Sequence, residues 1–226
     1  MRCPRAEDNR GDMDPLADYY ARRAAEYERI YAKPERQADL ARLRGEVAAL
    51  LSGRRVLELA CGTGYWTHAF APGAASVTAL DVNDEVLAIA RAKPGAAGVE
   101  FLRASAYALP DFGRRHDALF AGFWWSHVPL ERLDAFLAHA LAAVAPGALA
   151  VFLDNRYVEG SSTPVARRDA AGNAYQQRRL ADGSTHEVLK NFPDEAALRA
   201  AASRHGTEAR VELTEYFWLL AWRAPS

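Results

Sequence analysis

The feature that most constrains this chain is an alternation running from residue 54 to residue 155. Short apolar and β-branched runs take turns with helix-patterned segments. The runs are "RRVLELA" (54–60), "SVTALDV" (76–82), "VEFLRASA" (99–106), "HDALFAGFWW" (116–125) and "GALAVFLDN" (147–155). Between them lie a short helical stretch over 65–70, "DEVLAIARAK" stopped by Pro94-Gly95, and "LERLDAFLAHALAAVA" closed by Pro146-Gly147. Strands alternating with helices in this way predict a parallel sheet in a doubly wound α/β fold.

The flanks have a different character. Residues 16–32 read as a helix with Tyr20, Tyr27 and Tyr31 at helical spacing. Pro34 interrupts, and 35–51 resumes with Leu40, Leu43, Val47, Leu50 and Leu51 on one stripe. Downstream, 174–190 reads as a β-hairpin turning at Asp182-Gly183. A helix over 193–206 follows, with Asp194 as N-cap and Gly206 as its stop, and 209–224 supplies two closing strands broken near 215–217. No linker or repeat divides the chain, so one domain is expected over 14–226, with a helical cap (14–51) and a hairpin insertion (158–191). Residues 1–13 read as a disordered tail, with Met13 as a candidate natural start that N-terminal mass analysis would decide.

The 226 residues suffice for one such domain with a sizeable core. Twenty-eight basic and 29 acidic side chains leave a net charge of −1, which gives no footprint for nucleic acid or an anionic membrane. No apolar run approaches a membrane span, and the N-terminus lacks the apolar core of a signal peptide. Cys3 and Cys61 form neither a disulfide framework nor a metal-ligand spacing, so no metal is expected. A cytoplasmic location is the expectation; oligomeric state is not readable.

The first strand runs into small residues, "ELACGTG", with Glu58 inside the apolar run. Such a break brings backbone close to a ligand. A P-loop would need a lysine after the glycines, and none follows. A dinucleotide fingerprint would need a third glycine at position 67, which is Thr67, and Trp66 crowds a pyrophosphate. Asp81 follows Gly64 by 17 residues, at the end of the second strand, where a carboxylate can accept from both ribose hydroxyls.

These residues resemble the class I S-adenosylmethionine (SAM)-dependent methyltransferases. Glu58-Leu59-Ala60-Cys61-Gly62-Thr63-Gly64 matches their acidic-x-Gly-x-Gly-x-Gly motif, with Ala60 in place of the first glycine. The resemblance implies a Rossmann-like seven-stranded sheet, mostly parallel with an antiparallel last strand. It also implies that Glu58 organises the amino-acid end of SAM, that Asp81 holds the ribose and that Val82 packs on adenine. "FLRASAYALP" resembles the third-strand motif with Ser105 where the family often has Asp, so Ser105 and the Ala106 backbone are the expected adenine contacts. Relatives cover SAM with a Tyr-x6-Tyr helix; Tyr20 and Tyr27 match it, as cofactor and substrate contacts respectively, with a packing role equally open.

The resemblance covers about residues 50–155 and does not name the methyl acceptor. In "GFWWSHVP", Phe123 is expected at the cofactor and Trp124 and Trp125 at the substrate, as an aromatic wall suited to a sulfonium or a flat molecule. Strand alternation equally allows one of these tryptophans to be core. His127 is the candidate base or orienting group; a helix-capping or exposed role is the alternative. Asn155, Arg156 and Tyr157, with Asp154, put polar groups at the sheet's carboxyl edge, where α/β folds bind ligands. Arg167, Arg168, Arg178 and Arg179 either bind an anionic substrate or solvate an exposed ribbon.

Several acceptors are disfavoured. The Asn/Asp-Pro-Pro-Tyr of exocyclic-amine and glutamine methyltransferases is missing, arsenite methylation needs more cysteines, and a catechol metal site needs clustered carboxylates. The expected function is methyl transfer from SAM, leaving S-adenosylhomocysteine (SAH), to the oxygen, nitrogen or sulfur of a small, planar, fairly apolar molecule. The alternatives are a non-catalytic SAM-binding regulator and a nicotinamide-dependent oxidoreductase.

Overall fold

The computed structural model describes residues 19–21, 23, 28 and 31–226. A seven-stranded sheet forms its centre. Strands β1 (Arg55–Glu58), β2 (Ser76–Asp81), β3 (Val99–Arg103), β4 (Ala118–Gly122) and β5 (Leu149–Asn155) run parallel in the order β3-β2-β1-β4-β5. The last strand in the chain, Phe217–Arg223, lies antiparallel to β5, and Thr207–Leu213 closes the edge beside it. That is the expected Rossmann-like sheet. Its strand order reverses between β1 and β4, the switch point at which such sheets leave a crevice beyond their carboxyl ends.

Both faces are covered, and the alternation of each strand says by what. Val56, Phe120, Val151 and Leu153 pack with Leu40, Leu43, Val47 and Leu51 of α1 (Gln37–Leu51) and with Phe70 of the four-residue α2 (Thr67–Phe70). Leu57, Leu119 and Phe152 turn the other way, onto Phe136 and Leu137. The last strand splits the same way, Phe217, Leu219 and Ala221 on one face and Trp218, Leu220 and Trp222 on the other. Helix α3 (Asp84–Ala92) follows β2, α4 (Leu133–Ala142) follows β4, and α5 (Glu195–Arg204) begins where Asp194 Oδ1 accepts from Ala197 N at 2.8 Å, the expected N-cap.

Three sequence expectations change. The helix expected over 65–70 keeps only Thr67–Phe70. The fourth strand stops at Gly122 rather than Trp125, because Phe123 takes a left-handed backbone (φ 59°) and Trp125–His127 form a 3-10 turn. The inserted hairpin gains a third strand: β6 (Arg167–Arg168) pairs with β7 (Ala174–Arg179), which pairs with β8 (Thr185–Leu189). The final strands are then β9 (Thr207–Leu213) and β10 (Phe217–Arg223). Of the helix expected over 16–32, Tyr19–Ala21 and Arg23 are helical; Tyr27 and the 1–13 tail lie outside the described residues.

Candidate active site

The glycine loop leaves β1 and turns back at once. Leu59 N donates to Phe120 O at 2.9 Å and Cys61 N to Leu80 O at 2.8 Å, which stitches the loop to strands on both sides. Ala60, Gly62 and Gly64 all have left-handed backbones, with φ of 50°, 55° and 76°. Gly64 needs glycine for its φ, and a Cβ there would also approach the His68 ring to 3.0 Å, which that ring would have to yield to. Ala60, standing at the family's first glycine, adopts the strained conformation despite its Cβ.

Beyond the loop lies a cavity of about 120 Å³, at the carboxyl ends of β1 to β4. Ala60, Gly62, Asp81, Val82, Ser105 and Ala106 line one part; Phe123, Trp124, Tyr20 and His127 close it. The Asp81 carboxylate accepts from Gly62 N and Asn83 N, both at 2.9 Å, and so sets the loop against β2. Burial raises its pKa, opposed by these backbone hydrogen bonds. Among the described lining residues Asp81 is the one carboxylate, and none is a lysine or arginine. A cavity with a carboxylate and no cation suits a positively charged ligand and gives a pyrophosphate nothing to bind.

Glu58 sits beneath, 1% exposed, and accepts from Thr67 Oγ1 at 2.6 Å. Burial pushes its pKa up to about 8 against the opposing Thr67 hydrogen bond, so the free protein holds it protonated at neutral pH. Cys61, Thr63, Gly64 and Glu58 shape the loop rather than line the cavity. Thr63 Oγ1 donates to Glu28 at 2.7 Å, tying the segment before α1 onto the loop.

A second, larger cavity of about 490 Å³ adjoins the first and shares Tyr20, Phe123 and His127 with it. Its cations are Arg23, Lys33, Arg36, Arg178, Arg179 and Lys190, and among its described lining residues there is no carboxylate. Arg36, 6% exposed, donates to Asn155 Oδ1 at 3.1 Å and to Ser161 Oγ at 2.9 and 3.2 Å. Arg178 donates to Gln176 Oε1 at 2.8 and 3.2 Å. Six aromatic rings, among them Tyr19, Tyr31, Phe192 and Phe217, share the walls.

His127 stands at the seam. Its Nδ1 lies 2.6 Å from the Leu189 carbonyl, which only accepts, so Nδ1 carries the proton. The lone pair is then on Nε2, 2.8 Å from the Tyr20 hydroxyl, which donates to it. Burial first, then the Lys190 and Arg178 charges, hold the imidazole well below its usual pKa, and His127 is neutral.

The comparisons with known proteins agree with this geometry. A family model described as a methyltransferase domain matches residues 56–147. The DhpI–SAH complex is 31% identical, with a TM-score of 0.74, over 94% of this chain and 96% of that one; the DhpI–SAM–HEP complex matches equally well over 93% and 99%. The chain belongs to the class I SAM-dependent methyltransferases. A fatty-acid O-methyltransferase of Mycolicibacterium smegmatis is 33% identical over 110 residues, 47% of this chain; the match spans 39% of that relative's length.

For a methyltransferase of this class, the residues of the smaller cavity fit SAM: a bare loop, one carboxylate and no competing cation. The expected cofactor residues Ala60, Gly62, Asp81, Val82, Ser105, Ala106, Phe123 and Tyr20 all line it. The expected substrate wall does not hold together. Trp124 lines the smaller cavity and not the larger. Trp125 is core, packed edge-on against Phe152 and Trp218, because the left-handed turn at Phe123 and the 3-10 turn after it aim it beneath the sheet edge. Trp66 is buried as well, so close to Gly122 that a Cβ there would meet it at 2.9 Å, and Tyr65 stacks on Tyr31 at 3.7 Å.

Asn155 lines the larger cavity, whereas Arg156 turns to the Thr214 carbonyl and Tyr157 to Glu159 and Phe192. The four arginines of the insertion divide. Arg178 and Arg179 line the cavity; Arg167 pairs with Glu187 and Arg168 bonds Gly172 O on the exposed ribbon. Sequence reasoning missed Arg36, Ser126 and Lys190. For Lys190 a signal existed: it follows the buried Val188 by two residues, on the same side of an extended chain.

Proposed function

We propose that this protein transfers the methyl group of SAM to an oxyanion-bearing small molecule, a carboxylate or a phosphorus oxyanion, held in the larger cavity. The carrying observation is the charge of that cavity, with six cationic side chains and no lining carboxylate among the described residues. SAM, when bound, supplies an electrophilic methyl group. Phe123 and the neutral His127–Tyr20 pair separate the two cavities and present one to the other. The acceptor oxygen forms the new C–O bond as the C–S bond breaks, and the bonding pair returns to sulfur. The acceptor loses one negative charge and no proton moves, so no base is required. The methyl ester formed is held less tightly by the cations than its precursor.

The fatty-acid relative acts on a molecule ending in a carboxylate, which supports the headgroup. The cations spread around this cavity favour a compact, highly charged acceptor over a long alkyl chain. The planar, fairly apolar acceptor expected from the aromatic wall loses that support because the wall is divided. A screen with labelled SAM tests the reading. Small carboxylates and phosphorus oxyanions should accept label, while neutral phenols and amines should not. Labelling confined to the neutral compounds would sink the proposal, and labelling of none would favour the non-catalytic regulator.

A further inference from the structure

We infer that Lys190 is the group that orients the acceptor's oxyanion at the seam between the cavities, with Asp154 and Ser126 as the residues that aim it. This rests on the anionic-acceptor reading above. Lys190 follows β8, in the insertion, and reaches into the end of β5. Its Nζ lies 2.7 Å from Asp154 Oδ1 and 2.6 Å from Ser126 Oγ. Ser126 spends its own proton on Asp154 Oδ2 at 2.6 Å, and the backbone N–H groups of Ser126 and Asn155, at 3.0 and 2.7 Å, and the Asn155 side-chain amide, at 3.1 Å, complete the carboxylate. Asp154 is fully buried and Lys190 is 4% exposed.

Every polar atom of this cluster is matched except one. An ammonium has three N–H groups, and Lys190 has two acceptors. Lys190 also lines the larger cavity, and its Nζ is 5.9 Å from the centre of the Phe123 ring, which both cavities share. The remaining N–H therefore serves the place where the acceptor must meet the methyl donor.

The energetics point the same way. A buried ion pair is replaceable by apolar residues at little or no loss of stability, so the pair is weakly explained by folding. A free lysine side chain carries about 2 kcal/mol of rotamer entropy, and two anchors remove that freedom before the acceptor arrives. The other cations differ. Arg36 and Arg178 are committed to amide and hydroxyl oxygens, and Arg179 stands exposed at the rim. They set the potential of the cavity; Lys190 sets the position of one oxygen, so that its partner faces the methyl group.

Calorimetry on the SAH-loaded protein with inorganic phosphate as the probe tests this. Lys190→Met with Asp154→Asn removes the pair without leaving a buried charge. That double variant should keep its SAH affinity and bind phosphate at least about tenfold more weakly, the worth of one charge-assisted hydrogen bond. Arg167→Ala, outside the cavity, should change neither affinity. Phosphate binding at full strength in the double variant overturns the role of Lys190 while the anionic reading stands. No phosphate binding to SAH-loaded wild type overturns both. If the double variant does not fold, Ser126→Ala keeps both charges and frees the ammonium. It should weaken phosphate by about threefold to tenfold, and an unchanged affinity there also refutes the aiming.

Discussion

The two cavities share three residues yet are made of different material. The smaller cavity is lined by Ala60 and Gly62 of the glycine loop, the ends of three neighbouring strands and the turn after β4, with Tyr20 against it, and its one lining charge is negative. The larger cavity is assembled from the segment before α1, the end of β5, the β6–β8 insertion and β10, and its charges are positive. The difference teaches how a near-neutral chain sorts charge. On the proposed reading a cationic donor and an anionic acceptor are each drawn to one side; the two cavities share Phe123 and the neutral Tyr20–His127 pair.

The sharpest way to break this comparison is to unbalance the acceptor side. Lys190→Met alone leaves Asp154 buried without its ammonium, and should cost about 3–5 kcal/mol in urea unfolding. Adding Asp154→Asn should restore most of that loss. A smaller effect separates the two sides functionally. Asp81→Ala should weaken SAH by roughly tenfold or more and leave phosphate affinity alone, while Arg178→Ala should do the reverse. Coupled losses in both variants would mean that the cavities are one site.

His127 sharpens the seam. The proposed transfer to an oxyanion removes no proton, so His127→Gln should lower turnover by less than about tenfold and leave SAH affinity unchanged; a loss beyond about a hundredfold would mark a true general base. The rate should also show no titration near the ordinary histidine pKa, since burial keeps the ring neutral throughout.

Glu58 gives a gentler pH effect on the cofactor side. Its pKa in the fold is raised to about 8 by burial, above the unfolded value of 4.5. Its stabilising contribution is therefore full below pH 4.5 and is lost as pH rises through 8. The stability of the ligand-free protein should fall by roughly 1 kcal/mol per pH unit across that window, and Glu58→Gln should flatten the slope. The smallest expected change is at Ala60. Glycine there removes the left-handed strain but adds unfolded-state entropy, a net gain of about 0.5 kcal/mol read as a slightly higher Tm.

Legibility in the sequence followed locality. Strand alternation, the glycine loop and Asp81 are local signals, and the structure places Ala60, Gly62 and Asp81 together at one cavity. The aromatic run was legible as chemistry but not as direction, because one left-handed residue, Phe123, ends the strand three residues early and sends Trp124 and Trp125 to different places. Lys190 was passed over because its meaning depends on Asp154, 36 residues away, and Ser126, 64 away.

By itself the sequence determined the sheet, its switch point and the methyl donor, because hydrophobic period, turn residues and backbone access to a ligand are set by neighbours in the chain. Only the tertiary structure decided where the charges go. Arg36, Arg178 and Lys190 are ordinary basic residues in a chain of net charge −1. Folding gathers them around one cavity, while the carboxylate that pairs with Lys190, Asp154, is not among the lining residues.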